Sequence, residues 1–268
     1  MPTTAYFVLP LASTIATIGN ELAIAPAANS LNDEVDMVWR TSSLTNTYII
    51  YDLGAALDVN TVAVLFNNLR SSDTVRVRCG TSAANTSASP TFDSNATGGN
   101  FVGYTGAKNA DAKTKTLCQL PATYNARYWR VDIIATGHPD GYVQASRIMF
   151  GLATVPGMEC DLNATRFFDE NSVVYTGPGY TDVDEYQPNP GWKMGFSNLD
   201  GTIWRDTFFP FLMKVGINKK CVLFVMQPGL PASWQNEMMY GRFKDRIEGE
   251  QRAYNGWWLE MSITSIGL

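Results

Sequence analysis

Short runs of β-branched and aromatic residues, separated by turn residues, dominate the middle of this chain. They occupy residues 48–54, 61–66, 74–79, 127–134 and 143–151. The third run alternates most regularly, because valine and cysteine take one face of an extended strand and two arginines take the other. Turn residues such as Pro139-Asp140-Gly141 fit antiparallel connections, and no long helical period interrupts the series. The pattern therefore predicts a β-sandwich.

The composition changes on both sides of these runs. Residues 1–32 are rich in Ala, Thr, Ser and Asn, and their small side chains predict an extended N-terminal arm or a loosely ordered lead-in strand rather than a helix. The Val-Pro-Gly sequence at 155–157 predicts a domain boundary, so that residues 33–155 form one domain and residues 156–268 a smaller second one. The sequence thus predicts a mainly β chain, in which a sandwich precedes a β-rich C-terminal assembly domain with little helix.

Three features organise the predicted second domain. Two Pro/Gly-rich stretches, at residues 175–180 and 187–191, predict an exposed connection. Residues 203–215 predict a short helix, because Thr, Phe and Val recur at four-residue steps, with a kink or break at Pro210. The continuous apolar run at 221–226 predicts a buried strand.

The end of the chain predicts a strand with one buried face. Apolar residues at alternate positions share that face (Trp257, Leu259, Met261 and Ile263). Trp258 points the other way from Trp257, so at least one of the two is covered by another layer or offered to a partner.

Side chains suited to catalysis or metal binding are scarce. His138 is the only histidine and lies in a turn, and we expect a polar loop residue rather than a catalytic base, since nothing around it resembles a nucleophile elbow. No C-x-x-C pair offers a zinc ribbon or a thioredoxin-like motif, and we expect buried free thiols rather than disulfides at the four cysteines (Cys79, Cys118, Cys160 and Cys221). The sequence predicts no metal and no cofactor.

One carboxylate cluster, formed by Asp182, Asp184 and Glu185, has more than one interpretation. Alternate carboxylates bind calcium or serve glycoside hydrolysis, but the EF-hand spacing is absent and neither pattern is specific. A solvated acidic loop is the favoured interpretation. Gly177-Pro178-Gly179 lacks the remaining glycine of a dinucleotide fingerprint and the Gly-Lys-Thr/Ser of a P-loop, so no nucleotide site is predicted.

Charge and hydropathy exclude two classes of partner. The formal net charge is −5, and no stretch carries the clustered basic residues that a nucleic-acid backbone requires. No segment reaches the roughly 18 uninterrupted apolar residues of a membrane span. The apolar stretch Ala5–Leu11 contains Pro10 and has no basic residue before Arg40, which makes a poor signal peptide. We expect a soluble chain made in a reducing cytoplasm.

An ordered set of motifs between residues 30 and 152 resembles the discoidin, or factor 5/8 C-type, family of galactose-binding-like domains. The motifs are Trp39-Arg40-Thr41-Ser42-Ser43, Tyr48 to Gly54, Val62 to Leu65, Val75 to Arg78, Ala126-Arg127-Tyr128-Trp129-Arg130-Val131 and Ala145 to Gly151. The resemblance implies a jelly-roll sandwich whose Asp-Leu-Gly strand lies in the core and whose loops at one end grip sugars or lipids. The family's usual disulfide partners and an aromatic spike loop are missing here.

A second resemblance concerns the kind of particle. Residues 29–33 and 65–70 look like discoidin-type domains of minor tail or baseplate proteins of tailed bacteriophages. The second domain is similar in layout to tail-tip attachment domains at Phe208–Leu212, Val222–Pro228, Met239–Arg242 and the last strand. The likeness implies a structural virion protein, assembled in the host cytoplasm, that contacts other virion proteins and forms a homo-oligomeric ring or a similar symmetric assembly.

Three functions therefore compete. The leading hypothesis is a non-enzymatic virion subunit of a minor tail, tail tip or baseplate. The alternative is a carbohydrate-binding module for host surface glycans, with the loops at Asn67–Ser72 and His138–Tyr142 as the lips of its site. A depolymerising enzyme would need a carboxylate pair, for which Asp182 and Asp184 are the candidates.

Overall fold

The computed structural model describes residues 2–108, 113–158, 160–161, 164–169, 173–184, 189–245 and 247–267. The first strands are β1 (Tyr6–Val8), β2 (Thr14–Ile18), β3 (Trp39–Arg40), β4 (Tyr48–Asn67), β5 (Thr74–Gly80), β6 (Phe92–Asp93), β7 (Phe101–Val102), β8 (Thr114–Ile134), β9 (Gln144–Gly151) and β10 (Ala153–Thr154). The later strands are β11 (Thr165–Asp169), β12 (Val173–Gly177), β13 (Tyr180–Asp184), β14 (Asn189–Asp200), β15 (Val222–Val225), β16 (Met239–Phe243), β17 (Glu248–Ala253) and β18 (Gly256–Ser265). The helical segments are a 3-10 turn (Ala27–Leu31), α1 (Asn85–Ala88), α2 (Gly201–Ile203), a π-helical turn (Trp204–Phe208), α3 (Phe209–Val215), a second 3-10 turn (Pro231–Ser233) and α4 (Trp234–Glu237).

Antiparallel strands build the predicted sandwich. Its strand order is β3-β9-β4-β8-β5-β6, with β2 added to β4 and β7 added to β5. The long strands β4 and β8 change register between Asp52 and Leu57. The first half of β4 also pairs with β2 and its second half with β9, so the strand passes from one layer to the other. Gly54 lies at this bend with a φ of +76°, a conformation that favours glycine.

Aromatic side chains fill the core of the sandwich. The largest fully buried ones are Trp39, Trp129, Tyr51 and Phe150. Within the Asp-Leu-Gly motif Leu53 is buried, as the family resemblance implies, whereas Asp52 turns outward and accepts hydrogen bonds of 2.7 Å from the Arg127 guanidinium. The prediction of a mainly β chain, with an antiparallel sandwich and little helix, is confirmed.

A second antiparallel sheet has the order β10-β1-β15-β16-β18-β14-β11, with β17 added to β18. Its inner strand β1 comes from the first residues of the chain, and Tyr6, Phe7 and Val8 are fully buried there. Residues 1–32 therefore differ from the extended arm that their average composition predicts. The small residues of this segment conceal a short bulky run before Pro10, and that run has the side chains of a core strand.

The two strands predicted for the C-terminal part are confirmed. The run at 221–226 forms the buried strand β15, and the last strand β18 buries its alternate apolar residues. Trp257 is covered by the helical segment, because its ring stacks on that of Trp204 at 5.0 Å between centroids. Trp258 is half-buried, and the Arg252 guanidinium lies 5.8 Å from its ring centroid.

The predicted helix at 203–215 is also confirmed, and it is continuous from Gly201 to Val215. A π-helical turn precedes Pro210, and the Phe209 N–H donates to the Trp204 carbonyl five residues earlier. Pro210 follows directly inside the same continuous segment, and the wider π-helical turn before it accommodates a residue that has no N–H. Because of this arrangement, the proline does not break the helix.

The outer face of the sandwich packs directly on the second sheet. Alternate residues of β4 divide between two cores: Val62 and Val64 face the sandwich interior, whereas Ala63 and Leu65 face the second sheet. The shared cluster there includes Val8, Met149, Leu223 and Tyr240. This double burial explains the continuous apolar run at 61–66. The predicted boundary at 155–157 stays a prediction, and β1 and β10 from the earlier part of the chain belong to the second sheet.

The four cysteines, all among the described residues, form no disulfide, and three of them are buried (Cys79, Cys118 and Cys221). Burial raises the pKa of the Cys221 thiol to about 11. Among the described residues, no helix is long and apolar enough to cross a membrane.

Candidate functional site

A separate two-stranded pair lies between β11 and β14 in the sequence. Strands β11 and β14 pair at the edge of the second sheet from Thr165 and Lys193 to Asp169 and Asn189, and β12 pairs with β13. Strands β12 and β13 pair with each other and with no other described strand. Residues 173–184, which we name the arm, contribute five residue pairs, or roughly 17 Å at about 3.4 Å per residue.

The tip of the arm is a tight turn. Gly177 pairs with Tyr180, so Pro178 and Gly179 are the two turn residues, and the φ of +85° at Gly179 fits a type II turn. The Tyr180 ring lies across Gly177, where an added Cβ would come within 2.4 Å of Cε1. The stretch at 175–180, predicted to be a connection, is thus the end of a hairpin. Its Pro-Gly pair supplies the turn, while the β-prone residues on either side form strands.

Apolar side chains cover both faces of the arm. Val174 lies opposite Val183 on one face, and Tyr175 lies on the other face with Tyr180. These four side chains are 43–64% exposed. An isolated two-stranded hairpin is marginally stable in water, and an exposed apolar surface of this kind is typical of interfaces. The arm therefore has the properties of a contact surface for another protein.

The predicted carboxylate cluster falls on and beyond the arm. Asp182 is exposed, lies opposite Tyr175, and accepts a 3.0 Å hydrogen bond from the Val183 N–H. Asp184 is the last residue of β13, and Glu185 lies outside the described residues. In the part of the chain that the structure describes, no group of three His, Cys, Asp or Glu side chains could hold a metal ion.

A second exposed apolar surface runs along the helical segment. Phe209 and Met213 lie four residues apart on α3, and Ile217 follows just beyond the end of the helix at Gly216. These three side chains are 45–69% exposed, line the same groove, and form what we name the helix stripe. A groove of about 780 Å³ separates this segment from β17, and besides the stripe it is lined by Trp204, Leu212, Gly216, Ile247 and Gly249, with Glu248 and Glu250 as its charged residues. Four basic residues of the helical segment and the residues after it are exposed (Arg205, Lys214, Lys219 and Lys220).

The loops predicted as lips of a glycan site do meet at one end of the sandwich. The Asn68 amide donates to Asp140 Oδ2 at 2.8 Å, and Arg70 donates to the Thr136 carbonyl at 3.1 Å. His138 is buried between the loops: its Nε2 lies 2.9 Å from the Asn68 carbonyl oxygen, and its Nδ1 accepts from the Asp140 N–H. The histidine therefore fastens the two loops together, which agrees with a structural loop residue.

Tyr142 is the aromatic residue of this loop end. The Arg40 guanidinium lies 4.3 Å from the centroid of its ring and also donates to the Gln144 side chain at 2.8 Å. One face of the ring is thus occupied by a cation. Since the polar groups of both loops largely bond to each other, the loop end is a preorganised polar surface with Tyr142 at its side.

The sequence matches no protein-family profile and no curated protein. Several solved structures are similar. CBM32-1 from a family 31 glycoside hydrolase of Clostridium perfringens is 10% identical with a TM-score of 0.37, over 54% of this chain and 96% of its own. Chitosan-binding module 1 from a chitosanase/glucanase of Paenibacillus sp. IK-5 is 17% identical with a TM-score of 0.34, over 53% and 95%.

A family 89 glycoside hydrolase from Clostridium perfringens is 13% identical with a TM-score of 0.35, and the match covers 54% of this chain but 14% of the hydrolase. The two binding modules are matched over nearly their whole length, whereas the hydrolase is matched over a small part of its chain. The likeness covers about half of this chain. The description of the second sheet and of the arm rests on their own strand pairing.

Proposed function

We propose that this chain is a non-catalytic structural subunit of a larger protein assembly. The arm is the observation that carries the proposal. It pairs with no other described strand and exposes apolar side chains on both faces. Covering those side chains with a partner would remove apolar surface from water and order a hairpin that is marginal alone.

The finer form of the proposal is a virion protein of a tailed bacteriophage, in a minor tail, tail tip or baseplate, that contacts other virion proteins. Its support is the sequence resemblance at residues 29–33 and 65–70, together with an arm whose exposed apolar faces suit contacts between subunits. The proposed location is the virion, after assembly in the host cytoplasm. Mass spectrometry of purified particles tests this form, because the chain would be retained after washing in high salt; its absence from the particles would refute it.

The self-association of the purified full chain tests the general proposal that the chain is a subunit of a larger assembly. Sedimentation velocity of the wild type is expected to show a mass that rises with concentration. The variant Val174→Asp/Tyr175→Asp, with one change on each face of the arm, is expected to sediment as a monomer. Ile24→Asp/Met37→Asp is the matched control, since it removes exposed apolar side chains from the sandwich and leaves the arm unchanged. A wild type that is monomeric at every concentration and captures no virion protein would overturn the proposal.

Glycan binding at the loop end is the second candidate. It is favoured by one observation, the convergence of the two predicted lips around Asn68, Asp140 and Tyr142. A sugar ring would use the exposed edges of these side chains. On a glycan array, wild type should bind and Tyr142→Ala should lose the signal, with the arm variant as a control that keeps it. No binding by the wild type to any glycan would remove this candidate.

A further inference from the structure

The arm and the helix stripe are two different surfaces of one chain that complement each other. We infer that the arm of one copy docks in the groove beside the helix stripe of a neighbouring copy. This inference rests on the proposed assembly function, and it specifies the partner as a second copy of the same chain.

Charge is the first argument for this pairing. The arm segment, residues 173–184, contains two aspartates and no basic residue. The helical segment and the residues that follow it, 201–220, contain four basic residues and one acidic residue. Asp182 is exposed on the arm, Lys214 is exposed on α3, and the exposed Lys219 side chain lies close to Gly216 of the groove. Opposite charges at the edge of an interface fix its register and raise the association rate.

Shape and apolar character are the second argument. The groove has a volume of about 780 Å³, which is the size of cavities that hold large side chains or ligands. Tyr175 and Tyr180 share one face of the arm, and that face also carries Asp182. This face can place its two rings in the groove while Asp182 reaches the basic residues of the helix. Met213, an adaptable side chain, is the most exposed member of the stripe.

The wall of the groove formed by β17 determines how the arm of the neighbouring copy is oriented in it. Strand β17 contributes Glu248 and Glu250 to that wall, and Glu250 is paired with Arg252 at 2.7 Å. An acidic arm residue is therefore favoured on the helical side of the groove. This places Asp182 toward Lys214 and Lys219, with the tyrosines between the helix and β17.

Two distinct surfaces that bind each other make a head-to-tail contact. Every copy then keeps one arm and one stripe, so the contact repeats until a ring closes or a filament forms. A symmetric dimer through two arms would instead leave the stripe uncovered.

Complementary variants of the full chain test the pairing. The arm variant Val174→Asp/Tyr175→Asp keeps an intact stripe, and Met213→Asp keeps an intact arm. Each variant alone is expected to be a monomer, with association at least about tenfold weaker than wild type, as for a central interface residue. An equimolar mixture is expected to form a species of two copies that grows no further, because one functional arm meets one functional stripe. Circular dichroism of each variant verifies its fold.

Charge reversal supplies a second readout. Asp182→Lys is expected to weaken association about threefold to tenfold. Combining it with Lys214→Glu and Lys219→Glu on the neighbour should recover most of that loss. Asp36→Lys is the control, since Asp36 is a fully exposed acid on the sandwich.

The possible outcomes distinguish a failure of the arm-to-stripe pairing from a failure of the proposed assembly function. If the arm variant is monomeric but Met213→Asp assembles like wild type, the stripe is not the docking site and the inference fails, while the assembly function stands. If the mixture stays monomeric, the head-to-tail pairing fails. If the wild type neither self-associates nor binds virion proteins, the proposed function itself fails.

Discussion

Replacing Phe7 by alanine tests whether the first residues of the chain belong to the second core. The Phe7 side chain is fully buried in β1, and its ring centroid lies 4.8–6.2 Å from those of surrounding phenylalanines (Phe196, Phe208, Phe211, Phe224 and Phe243). Truncating a buried phenylalanine costs about 3–5 kcal/mol, and aromatic pairs at these distances add about 0.5–1.5 kcal/mol each. We expect Phe7→Ala to lower the free energy of unfolding by about 4 kcal/mol or more.

A loss of this size is a large part of the roughly 5–15 kcal/mol by which native proteins are stable. The assay is urea denaturation followed by tryptophan fluorescence, with Trp192 and Trp204 reporting from the same core. Phe7→Leu should cost less than Phe7→Ala because it keeps most of the volume, although it also loses the ring contacts. Phe168→Ala, at an exposed position, should change stability by less than about 0.5 kcal/mol. A loss below about 1 kcal/mol for Phe7→Ala would refute the assignment of β1 to the core.

Three further predictions concern charge and thiols. Hydrogen bonds from Arg127 lower the pKa of Asp52 to about 2, so this pair stabilises the fold above the unfolded-state pKa of about 4 and loses its effect as the pH falls through about 2. The difference in melting temperature between wild type and Asp52→Asn should therefore shrink over that window; a constant difference would contradict the pairing. Asp33 accepts a 2.5 Å hydrogen bond from the Tyr240 hydroxyl where the sandwich meets the second sheet, and Tyr240→Phe should cost about 1–3 kcal/mol in chemical denaturation. A thiol reagent should label Cys160 first, since the other three cysteines are buried, and labelling of all four at one rate in the native state would count against their burial.

The sandwich was predictable because each of its strands carries a local sequence signal, the alternation of apolar and polar residues. In β5, valines and a cysteine alternate with arginines, and the structure buries the apolar set while Arg76 and Arg78 form ion pairs with Asp93 and Asp132. The last strand shows the same alternation and the same result. The convergence of the two lips followed from the family resemblance, which orders the loops at one end of the sandwich.

The second sheet was less predictable because it is assembled from distant segments. Three bulky residues at 6–8 were concealed by the small residues around them, and only the pairing with β15 shows their role. The arm was hidden for a different reason: Pro178 and Gly179 indicate a turn, but sequence does not show that the strands on either side lack further partners. The four-residue spacing of Phe209 and Met213 was a visible signal for part of the helix stripe, next to the buried spacing that predicted the helix, whereas Ile217 lies beyond the end of the helix.

The most direct test of the central claim is amide hydrogen exchange in the arm, residues 173–184, as a function of protein concentration. If the arm is a contact surface between subunits, its exchange slows as the concentration rises, while amides at the loop end of the sandwich are unchanged. The variant Met213→Asp should remove this concentration dependence by blocking the docking groove. Arm amides of the wild type that exchange at one rate at every concentration, alone and with other virion proteins added, would contradict the account.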